Sequence, residues 1–492
     1  MTTHDPAGDP AGFAGQHITV AGLGVSGISA ARALAGLGAR VTVVDGGDGD
    51  RQQAAARELE PAGITVRLGD GATLPEGTDL VVTSPGWKPD SPLFAAAAAA
   101  GVDVVGDVEI AWRLRRTVAG AQPAAWLAVT GTNGKTTTVR MLASILEAEG
   151  LHTTAVGNIG TPIIDVVLGQ GKDGARPYDV LAVELSSYQL HWAPSLRAHS
   201  AAVLNLAPDH LDWHGSMAAY AADKGRIYEG NTVACVYNVA DRATEDLVRE
   251  ADVEEGCRAI GFTLGAPAPS QLGVVEGLLV DRAFVADRHK QAQELAEVAD
   301  IAPDSGAPAP HNIANALAAA ALARAYGVGP AAVRDGLRAF HPEAHRIQHI
   351  AELAGVTYID DSKATNTHAA EASLAAYEHI VWIAGGLAKG ATFDELVQKS
   401  AARLRGVVLI GADRALIREA LARHAPDVPV VDLDRTDTGA MSEAVREATR
   451  LAEPGDTVLL APACASMDMF VNYNKRGEAF ADAVGELTAR DH

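Results

Sequence analysis

The residues best suited to chemistry lie in Thr130–Thr137, a segment that reads TGTNGKTT. An apolar stretch typical of a strand precedes it, and a long stretch typical of a helix follows it. The backbone amides of such a loop can surround a triphosphate, while Lys135 neutralises the β- and γ-phosphates and the hydroxyl of Thr136 coordinates Mg²⁺. Val129 stands where the general phosphate-binding loop has its first glycine. A glycine turn capped by threonines is the alternative, and the pattern favours a nucleoside-triphosphate site.

A second glycine-rich turn, GLGVSG at Gly22–Gly27, lies between a predicted strand and a predicted helix. Its glycines allow the backbone to approach a phosphate, and the helix N-terminus supplies N–H donors. Asp45 ends the next predicted strand and can accept hydrogen bonds from the sugar or base of a nucleotide. A dinucleotide-dependent oxidoreductase is the obvious interpretation. A tight strand–helix junction without a ligand is the alternative.

Glu184, His210 and Lys224 form a group of candidate metal ligands that is spread along the sequence. Glu184 and His210 each follow a predicted strand, as the TGTNGKTT loop does. In an open parallel sheet the carboxyl ends of the strands are where ligands gather. His210 and His214 are spaced as a zinc pair could be, but the sequence has no HExxH motif and no obvious third ligand. Lys224 taken alone has a simpler alternative, a solvated charge on a helix.

Polar residues also follow three predicted strands near the C-terminus, in Asp360–Asn366, Gly385–Lys389 and Pro462–Asp468. Each segment alone could be ordinary turn chemistry. Three polar strand ends within one domain nevertheless predict a cleft. Cys464 lies in the last segment, and we interpret it as a small buried packing residue because no histidine is close to it in sequence.

Apolar strand patterns alternate with alanine-rich helical patterns along the whole chain, which predicts parallel sheets covered by helices on both faces. We expect an α/β protein of three consecutive domains: a Rossmann-like N-terminal domain, a central ATPase domain of the phosphate-loop type and a Rossmann-like C-terminal domain. The predicted limits are residues 1–121, 122–341 and 342–492. Within the central domain, one strand is predicted over Ala202–Leu206.

Length and composition agree with this division and exclude several classes of protein. A chain of 492 residues suits about three domains. Lys and Arg number 40 against 62 Asp and Glu, a net charge of −22, which argues against a nucleic-acid surface. The three cysteines, Cys235, Cys257 and Cys464, form no CxxC pair, so a reducing cytoplasm is expected. No signal peptide and no apolar run of ~18 residues is recognised, so no membrane insertion is expected. We expect a monomer.

With these residues assembled, the chain resembles the Mur ligase family over nearly its whole length. The resemblance rests on TGTNGKTT, on GNIGTP at Gly157–Pro162, on ELSSYQL from Glu184, on Asp209–Asp212 with Lys224, and on HNIANAL from His311. DSKATN and the later APACASMDMF are similar to the members of the family that add D-glutamate. The resemblance therefore implies ATP-dependent ligation of D-glutamate to UDP-N-acetylmuramoyl-L-alanine through an acyl phosphate, a step of peptidoglycan synthesis. It also makes the N-terminal glycine turn a site for UDP and not for NAD.

The resemblance further implies a role for particular residues. The catalytic residues would be Lys135, Glu184, His210, Lys224 and Arg346. The residues at ATP would be Gly131, Thr132, Asn133, Gly134, Lys135, Thr136, Thr137, Asn315, Arg346 and Asp361. The residues at the two other substrates would be Val25, Ser26, Asp45, Asn158, Lys363, Thr365, Lys389, Ser466, Met467 and Tyr473.

The same resemblance implies two Mg²⁺ ions, one held by Thr136 and Glu184 and the other by His210 and a carbamylated Lys224. Carbamylation would explain a lysine at a metal, because an ammonium repels Mg²⁺ whereas a CO₂ adduct offers an anionic oxygen. Two departures from the family are visible: Tyr473 replaces an aromatic without a hydroxyl, and the stretch Leu264–Pro310 is expanded and receives no role.

Three rival functions remain open at this point. Another amino-acid ligase of the Mur type would differ only in the amino acid it adds. An NAD-dependent dehydrogenase would explain Gly22–Gly27 but would leave Lys135 and the DSKATN segment without a purpose. A regulatory nucleotide-binding module would bind ATP without releasing phosphate when the substrates are supplied.

Overall fold

The computed structural model describes residues 10–115, 123–169, 177–302, 308–342, 345–435 and 437–490. The chain divides into two compact units, Met1–Ile301 with Asn312–Phe340, and Ala302–His311 with His341–His492. The first unit holds two sheets and the second holds one. The predicted domain limit at residues 121 and 122 lies outside the described residues.

The N-terminal sheet has five parallel strands, in the order β3-β2-β1-β4-β5. The strands are β1 (His17–Ala21), β2 (Arg40–Asp45), β3 (Thr65–Leu68), β4 (Leu80–Thr83) and β5 (Asp103–Gly106), and the helices are α1 (Val25–Gly36), α2 (Asp50–Leu59), α3 (Pro92–Ala99) and α4 (Asp107–Leu114). The strand order reverses between β1 and β4. Because ligands of open α/β sheets bind at such a reversal, the Gly22–Gly27 turn after β1 lies where a nucleotide site is expected.

The central sheet has nine strands, in the order β14-β13-β12-β11-β10-β9-β6-β8-β7. The strands are β6 (Ala125–Thr130), β7 (Thr153–Gly157), β8 (Val180–Glu184), β9 (Ser200–Val203), β10 (Ala234–Asn238), β11 (Arg258–Phe262), β12 (Gln271–Val275), β13 (Leu278–Asp281) and β14 (Gln293–Glu297). The helices are α5 (Lys135–Ala148), α6 (Ile163–Val167), α7 (Ser187–His191), α8 (Leu211–His214), α9 (Met217–Gly225), α10 (Arg242–Glu250), α11 (Pro310–Tyr326) and α12 (Pro330–Ala339).

The centre of this sheet decides where the candidate residues meet. β6 pairs in parallel with both β8 and β9, and the apolar side chains of these strands are buried. The carboxyl ends of neighbouring parallel strands lie side by side, so the segments that follow β6, β8 and β9 share one edge. The predicted strand Ala202–Leu206 is wrong in its limits: β9 starts at Ser200 and ends at Val203, and the residues after it belong to the site.

Among the described residues of the second unit, the sheet has six strands in the order β15-β16-β20-β17-β18-β19, with β15–β16 antiparallel and the other pairs parallel. The strands are β15 (Gln348–Leu353), β16 (Val356–Asp360), β17 (Ile380–Gly385), β18 (Leu404–Ile410), β19 (Val430–Asp432) and β20 (Thr457–Leu460), and the helices are α13 (Thr367–Leu374), α14 (Asp394–Ser400), α15 (Arg414–His424), α16 (Ala440–Leu451) and α17 (Tyr473–Arg490). Three α/β domains are therefore present, and the predicted fold class is confirmed.

The inner strands of the three sheets, such as β1, β8 and β17, are buried along their whole length, as expected for parallel strands covered by helices on both faces. In the parts of the chain that the structure describes, no helix combines the length and the apolar character needed to cross a bilayer.

Candidate active site

The TGTNGKTT loop joins β6 to α5, and its shape depends on Gly131, Gly134 and hydrogen bonds to the distant Asn205. Gly131 and Gly134 have φ angles of 155° and 83°. A Cβ on Gly134 would lie 2.4 Å from Oδ1 of Asn315, so only glycine allows this close approach. The backbone N–H of Asn133 donates to Oδ1 of Asn205 (2.9 Å), and Nδ2 of Asn205 donates to the carbonyl of Asn133 (3.1 Å). Asn205 follows β9, and its contact with this loop was not predicted from the sequence.

Two lysines converge on this loop from different helices. Nζ of Lys135 donates to the carbonyl oxygens of Gly131 and Thr132, both at 2.9 Å. Nζ of Lys224, on α9, donates to the same carbonyl of Gly131 at 2.8 Å and to Oγ1 of Thr130 at 3.3 Å. The ammonium of Lys135 and the N-terminus of α5 together make the loop attractive to an anion.

Lys224 is only 2 % exposed, so the alternative of a solvated helix charge is wrong. Burial lowers the pKa of its amine well below the usual value, and the nearby charge of Lys135 lowers this pKa further. The uncharged amine is the form that can react with CO₂. The surroundings of Lys224 therefore fit the carbamylation that the resemblance implies.

Glu184 ends β8, as predicted, and is 2 % exposed. Its Oε1 accepts a hydrogen bond from Nδ2 of Asn158 (2.9 Å), but its Oε2 is buried without a hydrogen-bond partner among the described residues. A buried carboxylate oxygen without a partner is costly unless a cation compensates it. Together with the hydroxyl of Thr136 on α5, this oxygen fits a hard divalent cation such as Mg²⁺.

His210 precedes α8 in a left-handed conformation, with φ of 53°. Its ring packs beside Tyr188 at 4.9 Å, and its Nε2 lies 3.5 Å from Oδ2 of Asp209. The zinc pair with His214 is not supported, because both ring nitrogens of His214 are engaged, one with Asp223 and the other with Ser187. The described residues include no group of three or more His, Cys, Asp or Glu side chains arranged to hold a metal.

The N-terminal turn is a second candidate site in the same unit. Gly22 has a φ of 101°, and a Cβ there would lie 2.9 Å from Nε1 of Trp87. Asp45 accepts hydrogen bonds from the backbone N–H of Leu23 through Oδ2 and of Gly47 through Oδ1, both at 2.8 Å. The carboxylate of Asp45 thus holds the turn in place. Val25, the first residue of α1, is 67 % exposed at the mouth of the turn.

Ser26 approaches a buried acid next to this turn. Burial raises the pKa of Asp107, and hydrogen bonding to Ser26 and to Gln189 acts in the opposite direction. The Oδ1 atom of Asp107 has no hydrogen-bond partner among the described residues. Ser26 is thus placed between the glycine turn and the start of α4.

The second unit brings its three predicted strand ends together. The backbone N–H of Ala463 donates to the carbonyl of Ala364 (2.9 Å), which joins the segments after β20 and β16. Leu387 and Ala465 form a two-way backbone bridge at 2.9 Å, which joins the segments after β17 and β20. These contacts place Thr365, Lys389, Ser466 and Met467 on three adjoining loops. Nζ of Lys363 lies 3.8 Å from the ring centre of Tyr473.

Asp361 lies at the start of the DSKATN segment and is buried. Burial raises its pKa to about 6, while a hydrogen bond from Ser373 and the charge of Arg346 act against that rise. The backbone N–H of Ile347 also donates to Asp361 (3.4 Å). Arg346 stands between His345 and Ile347, whose φ angles of 64° and 46° are both left-handed. Asp361 and Arg346 are thus close neighbours.

Arg476 was missed by the sequence reasoning. This residue of α17 is 1 % exposed and donates to the hydroxyl of Ser362 (3.0 Å), to the carbonyl of Ser362 (2.8 Å) and to the carbonyl of Cys464 (3.1 Å). It therefore fixes the first strand end of this unit against the last. Cys464 is buried and burial raises its pKa to about 12, which agrees with a packing role.

Three models of known protein domains match successive parts of this chain. Residues 16–106 match the model of the Mur ligase MurD-like N-terminal domain, residues 129–323 the Mur ligase middle domain, and residues 345–464 the Mur ligase glutamate ligase domain. The chain is 78 % identical over 480 residues to the UDP-N-acetylmuramoylalanine–D-glutamate ligase of Streptomyces coelicolor, covering 98 % of this chain and 100 % of that protein. The protein of the same name from Thermobifida fusca is 60 % identical, covering 96 % and 99 %.

Solved structures share the fold at much lower identity. A pseudomurein peptide ligase type C from Methanothermus fervidus gives a TM-score of 0.58 at 18 % identity, covering 96 % of this chain and 100 % of that one. The MurF ligase from Thermotoga maritima in complex with ADP gives a TM-score of 0.57 at 16 % identity, covering 91 % and 95 %. Three domain models of one family match successive parts of the chain, and relatives match it over nearly its full length. This protein therefore belongs to the Mur ligase family.

Proposed function

We propose that this protein ligates D-glutamate to UDP-N-acetylmuramoyl-L-alanine with hydrolysis of ATP to ADP and phosphate, in the cytoplasmic stage of peptidoglycan synthesis. One observation carries the proposal. Lys135 and Lys224 both donate to the carbonyl oxygen of Gly131, and the buried carboxylate of Glu184 nearby has one oxygen without a hydrogen-bond partner among the described residues. That edge of the sheet suits both a triphosphate and a divalent cation. The choice of D-glutamate is supported by the relatives at 78 % and 60 % identity.

The proposed reaction must bring two anions together. The alanyl carboxylate attacks the γ-phosphorus of ATP, ADP departs, and an acyl phosphate forms. The amine of D-glutamate then attacks the carbonyl carbon, the C–O bond to phosphate breaks, and the amide remains after a proton is lost. Lys135, the N-terminus of α5 and Arg346 would neutralise the charge that develops on the transferred phosphoryl group.

The residues fit two Mg²⁺ ions. We propose that Thr136 and Glu184 hold one ion and that His210 and a carbamylated Lys224 hold the other. When bound, these ions would lower the repulsion between the carboxylate and the γ-phosphate. Glu184 offers one buried carboxylate oxygen that has no hydrogen-bond partner among the described residues, while Asn158 donates to the other oxygen.

The same proposal assigns the other site residues to the three substrates. The residues proposed for ATP are Gly131–Thr137, Asn315, Arg346 and Asp361. The residues proposed for the UDP-linked substrate are Val25, Ser26, Asp45 and Asn158. The residues proposed for D-glutamate are Lys363, Thr365, Lys389, Ser466, Met467 and Tyr473. We also propose the domain limits 1–121, 122–341 and 342–492, and a monomeric enzyme.

The test of this function is ATP-dependent phosphate release with the UDP-linked acceptor present and a panel of amino acids: D-glutamate, L-glutamate, D-aspartate and L-lysine. We expect rapid release with D-glutamate alone, and mass spectrometry should find the new amide. Equal rates with another amino acid would assign a different ligase of this family. A dehydrogenase would leave Lys135 without a function, which argues against that alternative. A rise in melting temperature with NADH but not with ATP would favour it.

Replacing Asp45 by alanine should weaken the UDP-linked substrate selectively. The change removes an acceptor of two backbone hydrogen bonds that shape the glycine turn. A loss of about 1–3 kcal/mol corresponds to a rise of about 5- to 150-fold in the KM for the acceptor. The KM for ATP should stay within about twofold, because the TGTNGKTT loop is a separate site. Steady-state kinetics with each substrate varied in turn give both constants.

The control for this change is Asp48→Ala, which removes an exposed carboxylate three residues away. It should leave both KM values unaltered. If Asp45→Ala also leaves the acceptor KM unaltered, the N-terminal turn does not bind that substrate.

A further inference from the structure

Asp223, the residue directly before Lys224 on α9, joins two histidines. Its Oδ1 accepts a hydrogen bond from Nδ1 of His191 and its Oδ2 from Nδ1 of His214, both at 2.8 Å. Nε of Arg226 lies 3.5 Å from Oδ1. Burial alone would raise the pKa of Asp223, but the hydrogen bonds from the two histidines lower it to about 2. Both carboxylate oxygens of this buried side chain are thus held by partners on two other helices.

The second histidine extends the chain of hydrogen bonds. Nδ1 of His214 donates to Asp223, and Nε2 of the same ring lies 2.9 Å from the hydroxyl oxygen of Ser187. This Ser–His–Asp order is that of a hydrolase triad. Ser187 is only 2 % exposed and the His214 side chain is fully buried, so no substrate can reach the hydroxyl. The arrangement is suited to holding helices together and not to nucleophilic attack.

Each helix in this network carries or adjoins one candidate metal ligand. Ser187 and His191 lie on α7, which begins shortly after Glu184. His214 ends α8, whose first residue follows His210. Asp223 lies on α9, directly before Lys224. One carboxylate thus links the three short elements that present Glu184, His210 and Lys224.

The network also reaches the TGTNGKTT loop. The ring of Tyr220, on α9, packs against His214 at 5.2 Å, and its hydroxyl lies 3.0 Å from Oγ1 of Thr132. Oγ1 of Thr132 in turn accepts from the backbone N–H of Ala207, after β9. A displacement of α9 would therefore move Lys224 relative to both the loop and His210.

We propose that Asp223 is a positioning residue that, through His191 and His214, sets the spacing of Glu184, His210 and Lys224 for cation binding. This inference rests on the proposed function for its metal site. Removal of groups that orient metal ligands typically costs 10- to 100-fold in metal affinity or activity. Asp223→Asn keeps the size of the side chain but replaces one acceptor oxygen by a donor, which cannot pair with an Nδ1–H group.

The test measures Mn²⁺ binding to the full-length protein by electron paramagnetic resonance, with a non-hydrolysable ATP analogue and neither of the other substrates. We expect Asp223→Asn to weaken Mn²⁺ binding by about 10-fold or more and to raise the Mg²⁺ concentration for half-maximal phosphate release by a similar factor. The KM for the UDP-linked acceptor should stay within about twofold. Asp246→Asn, the same change on α10 where the side chain is half-exposed, is the matched control and should leave metal binding unaltered.

A double mutant tests whether the residues act as one unit. If His214 works through Asp223, adding His214→Gln to Asp223→Asn should cost little more than Asp223→Asn alone. His191→Gln removes one of the two hydrogen bonds at a less buried side chain and should give a smaller shift in the same direction. If Asp223→Asn does not fold, the Mn²⁺ affinity of His191→Gln tests the same positioning role.

Two results would overturn the inference: a lower melting temperature with unchanged Mn²⁺ affinity, which makes Asp223 merely structural, or an equal shift in Asp246→Asn. The proposed function fails differently. A wild-type enzyme that binds Mn²⁺ with the ATP analogue but releases no phosphate with D-glutamate and the acceptor would refute the ligase and leave the role of Asp223 standing.

Discussion

Lys135→Ala should lose nearly all turnover, with kcat for phosphate release falling on the order of 100-fold or more. The lysine stands at the junction of β6 and α5, with its ammonium held by the carbonyl oxygens of Gly131 and Thr132. A phosphate bound in the loop would meet this charge and the N-terminus of α5 together. Removing a cation that stabilises a transition state typically costs about 3 kcal/mol or more, which sets the size of the loss.

The measurement is kcat at saturating ATP, with the melting temperature recorded to show that the variant is folded. Lys290→Ala is the matched control, because that lysine is 82 % exposed in a loop before β14. It should keep the wild-type rate. Near-normal kcat in Lys135→Ala would mean that the TGTNGKTT loop is not the site of phosphoryl transfer.

Lys224→Ala should also be nearly inactive, but for a different reason and with a different remedy. An ordinary lysine, with a pKa of about 10.4, is an ammonium at pH 7 and would repel a metal ion. Lys224 is buried beside Lys135, and its pKa is lowered well below the usual value by burial and by that charge. A lowered pKa leaves more neutral amine at pH 7, and the neutral amine is what captures CO₂ to give an anionic oxygen ligand.

Formate, acetate or bicarbonate should therefore restore part of the activity of Lys224→Ala, because a small carboxylate can supply the missing anionic oxygen. Lys224→Arg should not respond, since the guanidinium still fills the site with positive charge. Lys135→Ala should not respond either, because it lacks a cation and not an anion. Phosphate release with and without these acids gives the comparison, and a mass spectrum of the wild-type protein reports the carbamate. An active Lys224→Ala enzyme would end the carbamate hypothesis.

The two lysines show how far sequence reasoning reaches. The spacing of Gly134, Lys135 and Thr136 after an apolar strand is a local pattern, and it predicted the loop and its place before α5. Lys224 had no such local signal, because nothing in its neighbourhood in sequence distinguishes a buried lysine from one in solvent. Its burial follows from the packing of α9 against the loop after β6, and those segments lie far apart along the chain.

The sequence by itself determined the three α/β domains, the two glycine turns and the polar ends of β8 and β16, because periodicity, glycine spacing and strand ends are local properties. Only the tertiary structure decided which distant side chains hold these segments: Asn205 on the loop after β6, Asp223 between two histidines, and Arg476 between Ser362 and Cys464. It also removed His214 from the candidate ligands. Hydrogen bonds of this kind depend on strand order and helix packing, which bring together residues that no spacing in the sequence connects.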